Sequence, residues 1–251
     1  MVEVKKSNVL GSGGLYLIFG AEPGHQRVFP CYLRADAEVL YSRWFMGDLE
    51  PSLLRGLVTL KSTKEGGKTR NYNSGVIEEY SFQKSAKVFG DNGLRNGQWF
   101  ANRLCAMRDG AHAELEPGIC GQKGKGAFSI VLANGGYADE DKGDTIHYCG
   151  TQSKTPTPTY RTQLLLDSLK VNNPIRVLRS KSKSQFAPKE GIRFDGIYKI
   201  VSKEILDEDT AMYRFELHRE AGQDLIRYQG AEARPTSQEL LQLKKINALL
   251  K

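Results

Sequence analysis

Residues 134–150 read NGGYADEDKGDTIHYCG. Tyr137 and Tyr148 bracket four acids, Asp139, Glu140, Asp141 and Asp144, and a glycine pair stands just upstream. Flat rings beside carboxylates suit one kind of chemistry. A heteroaromatic ring stacks between the tyrosines while its exocyclic amino group donates to a carboxylate. A base turned out of a duplex offers both features, a π face and a Watson–Crick edge. The plainer alternative is a solvated acidic loop between two core or edge aromatics.

Other chemistries find less support. His25, His112, His147 and His218 are scattered, with no H-E-x-x-H or His/Cys pairing at metal spacing. There is no G-x-S-x-G elbow. His147 and Cys149 share a strand face if that segment is extended, but a Cys/His nucleophile still needs a third, orienting group. The four acids of the opening stretch could hold a nuclease metal, yet no lysine or histidine stands at a recognised spacing from them. Glycine runs at 11–20 and 65–69 tempt a phosphate-loop reading. Ser62 stands five before Gly67, so the G-x-x-x-x-G-K-T spacing fails and both runs read as turns. No cofactor and no metal are expected.

The charge supplies a second clue. The chain carries 36 Lys+Arg against 29 Asp+Glu, a net +7. Residues 151–203 hold 11 basic and 3 acidic side chains, a local +8 that leaves −1 for everything else. A field so concentrated points to a polyanion, of which nucleic acid is the common one, or else to a solvated basic surface. No apolar run approaches the roughly 18–20 residues that a membrane span needs, and no secretory h-region is visible. Cys31, Cys105, Cys120 and Cys149 lie far apart without a C-x-x-C pair, which predicts reduced thiols in a cytosolic or nuclear setting.

The elements that must position these residues are unevenly legible. Residues 1–85 form an extension of unknown role, in which ADAEVLYSRWF suits a short helix and LLRGLVTL a helix or a buried strand. From about Ala86 the pattern turns β-rich. WFANRLCAM (99–107), AFSIVLA (127–133), PIRVLRS (174–180) and GIYKIVS (196–202) read as strands. AMYRFELHR alternates, with Met212, Arg214, Glu216 and His218 on one face and Tyr213, Phe215 and Leu217 on the other. Residues 159–171 look helical. After Pro235, Thr236 and Glu239 make a capping box for a C-terminal amphipathic helix over 231–251. TPTPT (155–159) is a stiff extended segment and RSKSKSQ (179–185) a basic loop.

An ordered set of blocks carries a resemblance. VFG, NGQWF, PGICGQKGKGAFSIVLANGGYADEDKGDTIHYCG, NNPIRVLRSKSKSQFAPKEGIRFDGIYKIV and YRFELHREAGQ together resemble the SRA (SET- and RING-associated, YDG) domain over roughly 88–222. The resemblance implies an α+β fold, a curved β-barrel of PUA/SRA type flanked by helices, within residues 86–230. It implies a non-enzymatic reader of methylated cytosine, in CpG context, that flips the base between two tyrosines. The partner is then double-stranded DNA carrying modified cytosine, with chromatin proteins beside it and no membrane. The expected location is the nucleus, or a bacterial cytoplasm. A modification-dependent nuclease and a PUA-like RNA binder are the rival readings.

Carried onto this chain, the resemblance makes Tyr137 and Tyr148 the stacking pair and places Ala133, Gly136 and Cys149 around the base. Only ten residues separate the tyrosines, one fewer than is usual, so the amino acceptor is Asp139 or Glu140, with Asp141 a weaker candidate. Cys149 stands where a hydroxyl residue is usual. One groove-entering loop corresponds to Leu115, Glu116 and Pro117, and Glu116 is an unusual neighbour for phosphates. The second loop, about 150–161, is short, lacks the basic triplet of vertebrate members and offers Lys154 and Arg161. Lys123 and Lys125, with Lys154 and Arg161, are the phosphate candidates by charge and position. The Y-D-G signature appears as Phe194-Asp195-Gly196, with a packing role kept and a hydroxyl lost.

Overall fold

A mixed sheet of eight strands organises the computed structural model, which describes residues 8–11, 13–20, 29–63, 69–133 and 139–249. Its strands are β3 (Trp99–Phe100), β4 (Ile119–Gln122), β5 (Gly126–Leu132), β6 (Glu140–Asp141), β7 (Thr145–Cys149), β8 (Ile175–Ser180), β9 (Ile192–Asp207) and β10 (Met212–Arg219). They lie in the order β4-β5-β8-β9-β10-β7-β6, with β3 paired to β9. Only β5 and β8 run parallel; the other pairs are antiparallel. The sheet is open among the described residues, since β4 and β6 end the row without pairing to each other. The expected α+β sheet flanked by helices is present, without barrel closure.

Among the described residues five helices accompany it: α1 (Tyr16–Phe19), α2 (Cys31–Phe45), α3 (Arg103–Arg108), α4 (Tyr160–Val171) and α5 (Ser237–Leu249). A separate hairpin joins β1 (Leu57–Thr63) to β2 (Thr69–Val76). None of the described helices is long and apolar enough to cross a membrane.

Alternation explains how the two faces are filled. In β5 every residue is buried. Ile130 and Leu132 join α4's Leu164 and Leu165 in one core, while Val131 joins α3's Leu104, Cys105 and Ala106 in another. Side chains two apart share a face, so one strand feeds both cores. In β10, Phe215 and Leu217 are wholly buried, as the period-two pattern predicts. Phe194 packs in the α3 core beside Phe100, which matches the packing expected of the Phe-Asp-Gly block.

One reading needs correction. Residues 99–107 do not form a strand. Only Trp99–Phe100 pair with β9, and α3 begins at Arg103. Asn102 caps it by accepting from the Cys105 N–H at 2.9 Å, satisfying a donor that the first turn leaves open. The C-terminal capping box is as expected. The Glu239 N–H donates to Thr236 Oγ1 at 3.2 Å, and the Thr236 N–H donates to Glu239 Oε2 at 2.8 Å. Cys105, Cys120 and Cys149 are buried thiols and Cys31 is exposed.

The segments on either side of the sheet meet. Asp36 of α2 accepts from Arg227 Nη1 at 2.6 Å and Nη2 at 2.9 Å, and from Arg234 Nη1 at 2.6 Å. Arg234 also binds Glu239 of α5. Glu38 pairs with Arg95, and Arg55 with Asp109.

Candidate functional site

Three consecutive acids leave the β6 region in three directions. Asp139 Oδ1 accepts from the Cys149 N–H at 2.7 Å. Burial pushes its carboxyl above the ordinary carboxylate range, against the Cys149 N–H and thiol, which favour the ionised form. Glu140 lies opposite His147 in the β6–β7 ladder and faces solvent, with Lys142 Nζ at 3.1 Å and Arg214 Nη1 at 3.8 Å. The Lys142 hydrogen bond holds it below the ordinary range. Asp141 turns inward. Arg179 donates to it from Nε at 2.8 Å and Nη2 at 2.7 Å, and Ser184 Oγ donates at 2.6 Å. Burial pushes this carboxyl up, but the Arg179 hydrogen bonds and charge outweigh it and set it low. Asp144 is exposed, 3.7 Å from Arg219. The four acids therefore diverge instead of converging on one metal.

Tyr148, on β7 directly before the Cys149 N–H that Asp139 accepts, is 6% exposed and packed in the α4 core. Its hydroxyl lies over Gly118, where an added Cβ would come within 2.7 Å of Oη. Gly118 thus leaves the space that the phenol fills, a role hidden in the PGICG turn. Cys149 is 3% exposed, and Ala133, just past β5, is exposed. Gly136 and Tyr137 lie outside the described residues.

The first loop is held from behind. The Pro117 carbonyl accepts from Arg103 Nη1 at 2.9 Å and from His112 Nε2 at 3.0 Å. A carbonyl only accepts, so the His112 proton sits on Nε2, and Nδ1 takes the Ser129 hydroxyl at 2.8 Å. Burial pushes His112 down to about 3, which keeps the ring neutral. Leu115 and Glu116 are exposed at the tip. In the second loop Lys154 is exposed, whereas Arg161 is engaged. Its Nη1 donates to Glu114 Oε1 at 3.1 Å and to the Ile119 carbonyl at 2.9 Å. Arg161 therefore joins the two loops. Lys123 and Lys125 are exposed in the β4–β5 turn. That turn lies at the opposite end of β5 from Ala133, which is about 26 Å from Lys125 at strand rise.

The family model for the SAD/SRA domain matches residues 88–223. This chain belongs to the SAD/SRA domain family. Among curated relatives, its SRA region is 34% identical over 126 residues to the E3 ubiquitin-protein ligase ORTHRUS 2 of Arabidopsis thaliana, covering 44% of this chain and 20% of that protein. It is 35% identical over 140 residues to a UHRF1-like protein of Cryptococcus neoformans, covering 47% and 40%. With the human E3 ubiquitin-protein ligase UHRF2 the identity is 34% over 141 residues, covering 43% and 18%. The matches thus span less than half the length of each of these relatives. Among solved structures, the SUVH5 SRA complex with methylated CHH DNA is 26% identical with a TM-score of 0.48, covering 56% of this chain and 99% of that one.

Two features of this SRA domain escaped the sequence. Arg103 was hidden by reading residues 99–107 as extended. Its guanidinium, set low by burial, lies within electrostatic reach of Tyr148. Arg179 reads as one more strand residue, yet it anchors Asp141 and the buried Asp195. The aspartate of the Phe-Asp-Gly block also receives Arg193, from Nη2 at 2.9 Å. Nothing local reveals such pairs, because Arg179 and Asp141 are 38 residues apart.

Proposed function

We propose that this SRA domain binds duplex DNA and reads a modified cytosine by holding the flipped base against Tyr148, without chemistry of its own. Asp139 is the acceptor for the cytosine N4 amino group. The observation that carries this is the Asp139 carboxylate on the Cys149 N–H, beside Tyr148, while Glu140 points to solvent and Asp141 is consumed by Arg179. Tyr137 forms the other face of the stack, with Ala133 and Gly136 at the base edge. Leu115, Glu116 and Pro117 enter one groove, Lys154 follows the second, and Arg161 sets their spacing. Arg103 joins as a cation near the pocket. Lys123 and Lys125, remote from the flipped base, contact phosphate only on duplex beyond the immediate site. The SRA relatives match proteins named as ubiquitin ligases, and nuclear chromatin is the setting we assign to this reader.

Magnitudes decide what selectivity to expect. Flipping costs a few kcal/mol, and each aromatic stack returns about 1–3. The N4 hydrogen bond adds about 1–3 kcal/mol against bases lacking that donor. The methyl group contributes near 0.8 kcal/mol, about fourfold, because unmodified cytosine keeps the same amino group. Asp139 thus holds the flipped state, and the mark tips the balance.

Fluorescence anisotropy at fixed salt tests this, on one CpG duplex unmodified, methylated on one strand or methylated on both. Several-fold tighter binding of the methylated forms is expected, and Asp139→Ala should collapse that ratio to the salt-sensitive background. Equal affinity for all three duplexes would overturn the reading. Asp139 is the better probe because truncating Tyr148 also opens the α4 core.

A further inference from the structure

A cavity of about 320 Å³ lies away from Tyr148, between α2 and the segment preceding β3. Val39, Met46, Phe82 and Leu94 form an apolar wall, with Arg43 among the charged residues facing it. Its volume is at the lower end of small-molecule sites, and opposite the apolar wall it is lined by the cations Arg43, Arg55 and Lys84 and by the carboxylates Asp48 and Asp109, which Arg55 engages.

The charges beside it do not balance. Arg43, Arg55 and Arg108 share two carboxylates. Arg55 takes Asp48 at 2.7 Å and Asp109 at 3.0 Å, and Arg108 takes Asp109 at 2.7 Å. Asp48 also accepts from Tyr80 Oη at 2.9 Å. Arg43 is left with Asp48 at 3.9 Å and a single hydrogen bond, from Nε to the Asp48 carbonyl at 3.2 Å. Its Nη1 and Nη2 donate to none of the described residues. The carbonyl end of α2 offers about half a negative charge, which leaves the cation undercompensated. Burial and the neighbouring Arg55 press on its charged form, against Asp48 and Asp109, and the side chain keeps 24% of its surface open to an entering group. A group of opposite charge entering the cavity relieves both, and Arg43's planar fork matches a carboxylate.

We propose that this cavity binds a small organic monoanion, a carboxylate on a short apolar stem. Arg43 grips the carboxylate, and Val39, Met46, Phe82 and Leu94 enclose the stem.

Hexanoate and its neutral isostere hexanamide are the probes, titrated into the full chain at constant ionic strength and read by calorimetry and thermal shift. Saturable hexanoate binding is expected, with hexanamide weaker by about tenfold or more, the scale of a charged hydrogen bond. Arg43→Gln should lose the same factor while the ligand-free melting temperature stays level or rises, because an undercompensated cation has gone. Equal affinity of the two probes for the unaltered chain, or no saturable hexanoate binding, overturns the proposal. So does an Arg43→Gln variant that keeps its hexanoate affinity.

Discussion

Asp139 and Asp141 stand two residues apart and titrate in opposite directions. Asp141 is held low by Arg179, so its contribution to stability is present above the unfolded-state pKa and is lost as pH falls through the lower folded value. Asp139 is raised by burial. Its contribution is present below the unfolded value and is lost as pH rises through the higher folded one. Asp141→Asn should therefore cost about 2 kcal/mol at pH 7, below the cost of a fully stranded buried charge because Arg179 keeps Asp195, which it shares with Arg193, and should flatten the acid limb of the stability curve. Asp139→Asn should leave neutral stability unchanged or slightly higher. Urea melts from pH 3 to 7 check both, and parallel curves for the two variants would refute the division. At this scale the pocket was half legible. The acids and Tyr148 were legible as one short stretch, which the structure folds into β6 and β7. Choosing among three adjacent acids required knowing what Cys149 and Arg179 already bind, and those partners come from other parts of the chain.

Elements decide what the two loops can do together. Arg161, at the start of α4, reaches Glu114 and the Ile119 carbonyl, while Arg103 and His112 pin Pro117 from the other side. Arg161, expected to grip phosphate, thus also couples the loops, its partly exposed pair with Glu114 contributing about 0.2–1 kcal/mol. Arg161→Ala should raise amide exchange across residues 113–118 and weaken binding of a methylated duplex. Unchanged exchange there would show that the loops act separately. Element legibility followed locality. The C-terminal helix was readable because Thr236 and Glu239 cap each other three residues apart. α3 was not, because six residues give under two turns and the aromatic pair Trp99-Phe100 just before it makes the whole run suit a strand equally well. Its one local sign was Asn102.

At the scale of the molecule, charge counted along the chain differs from charge offered to a partner. Of the 11 basic residues in 151–203, Arg176, Arg179 and Arg193 are buried, and Arg161 is paired. Arg176 donates to the carbonyls of Ala86, Val88, Gly90 and Ala111, tying down the segment that precedes β3. The basic field that pointed to DNA is thus partly internal scaffolding, which composition cannot distinguish. The clasp at Asp36 belongs to this scale too. Asp36→Asn leaves Arg227, 4% exposed, and Arg234, 14% exposed, short of their shared carboxylate. A loss of about 2–3 kcal/mol is expected, below the full cost of breaking a buried pair because Asp36 is itself partly exposed. Thermal melts measure it, and a change under about 0.5 kcal/mol, the usual range for surface substitutions, would show the clasp to be ornamental.

That clasp also has a mechanical side. Because Asp36 and Tyr32 of α2 both hold Arg227, and Asp36 holds Arg234 as well, a pull between the two flanks loads these contacts directly. Glu38 and Arg95 share that load, so the flanks act as a strap beside the sheet.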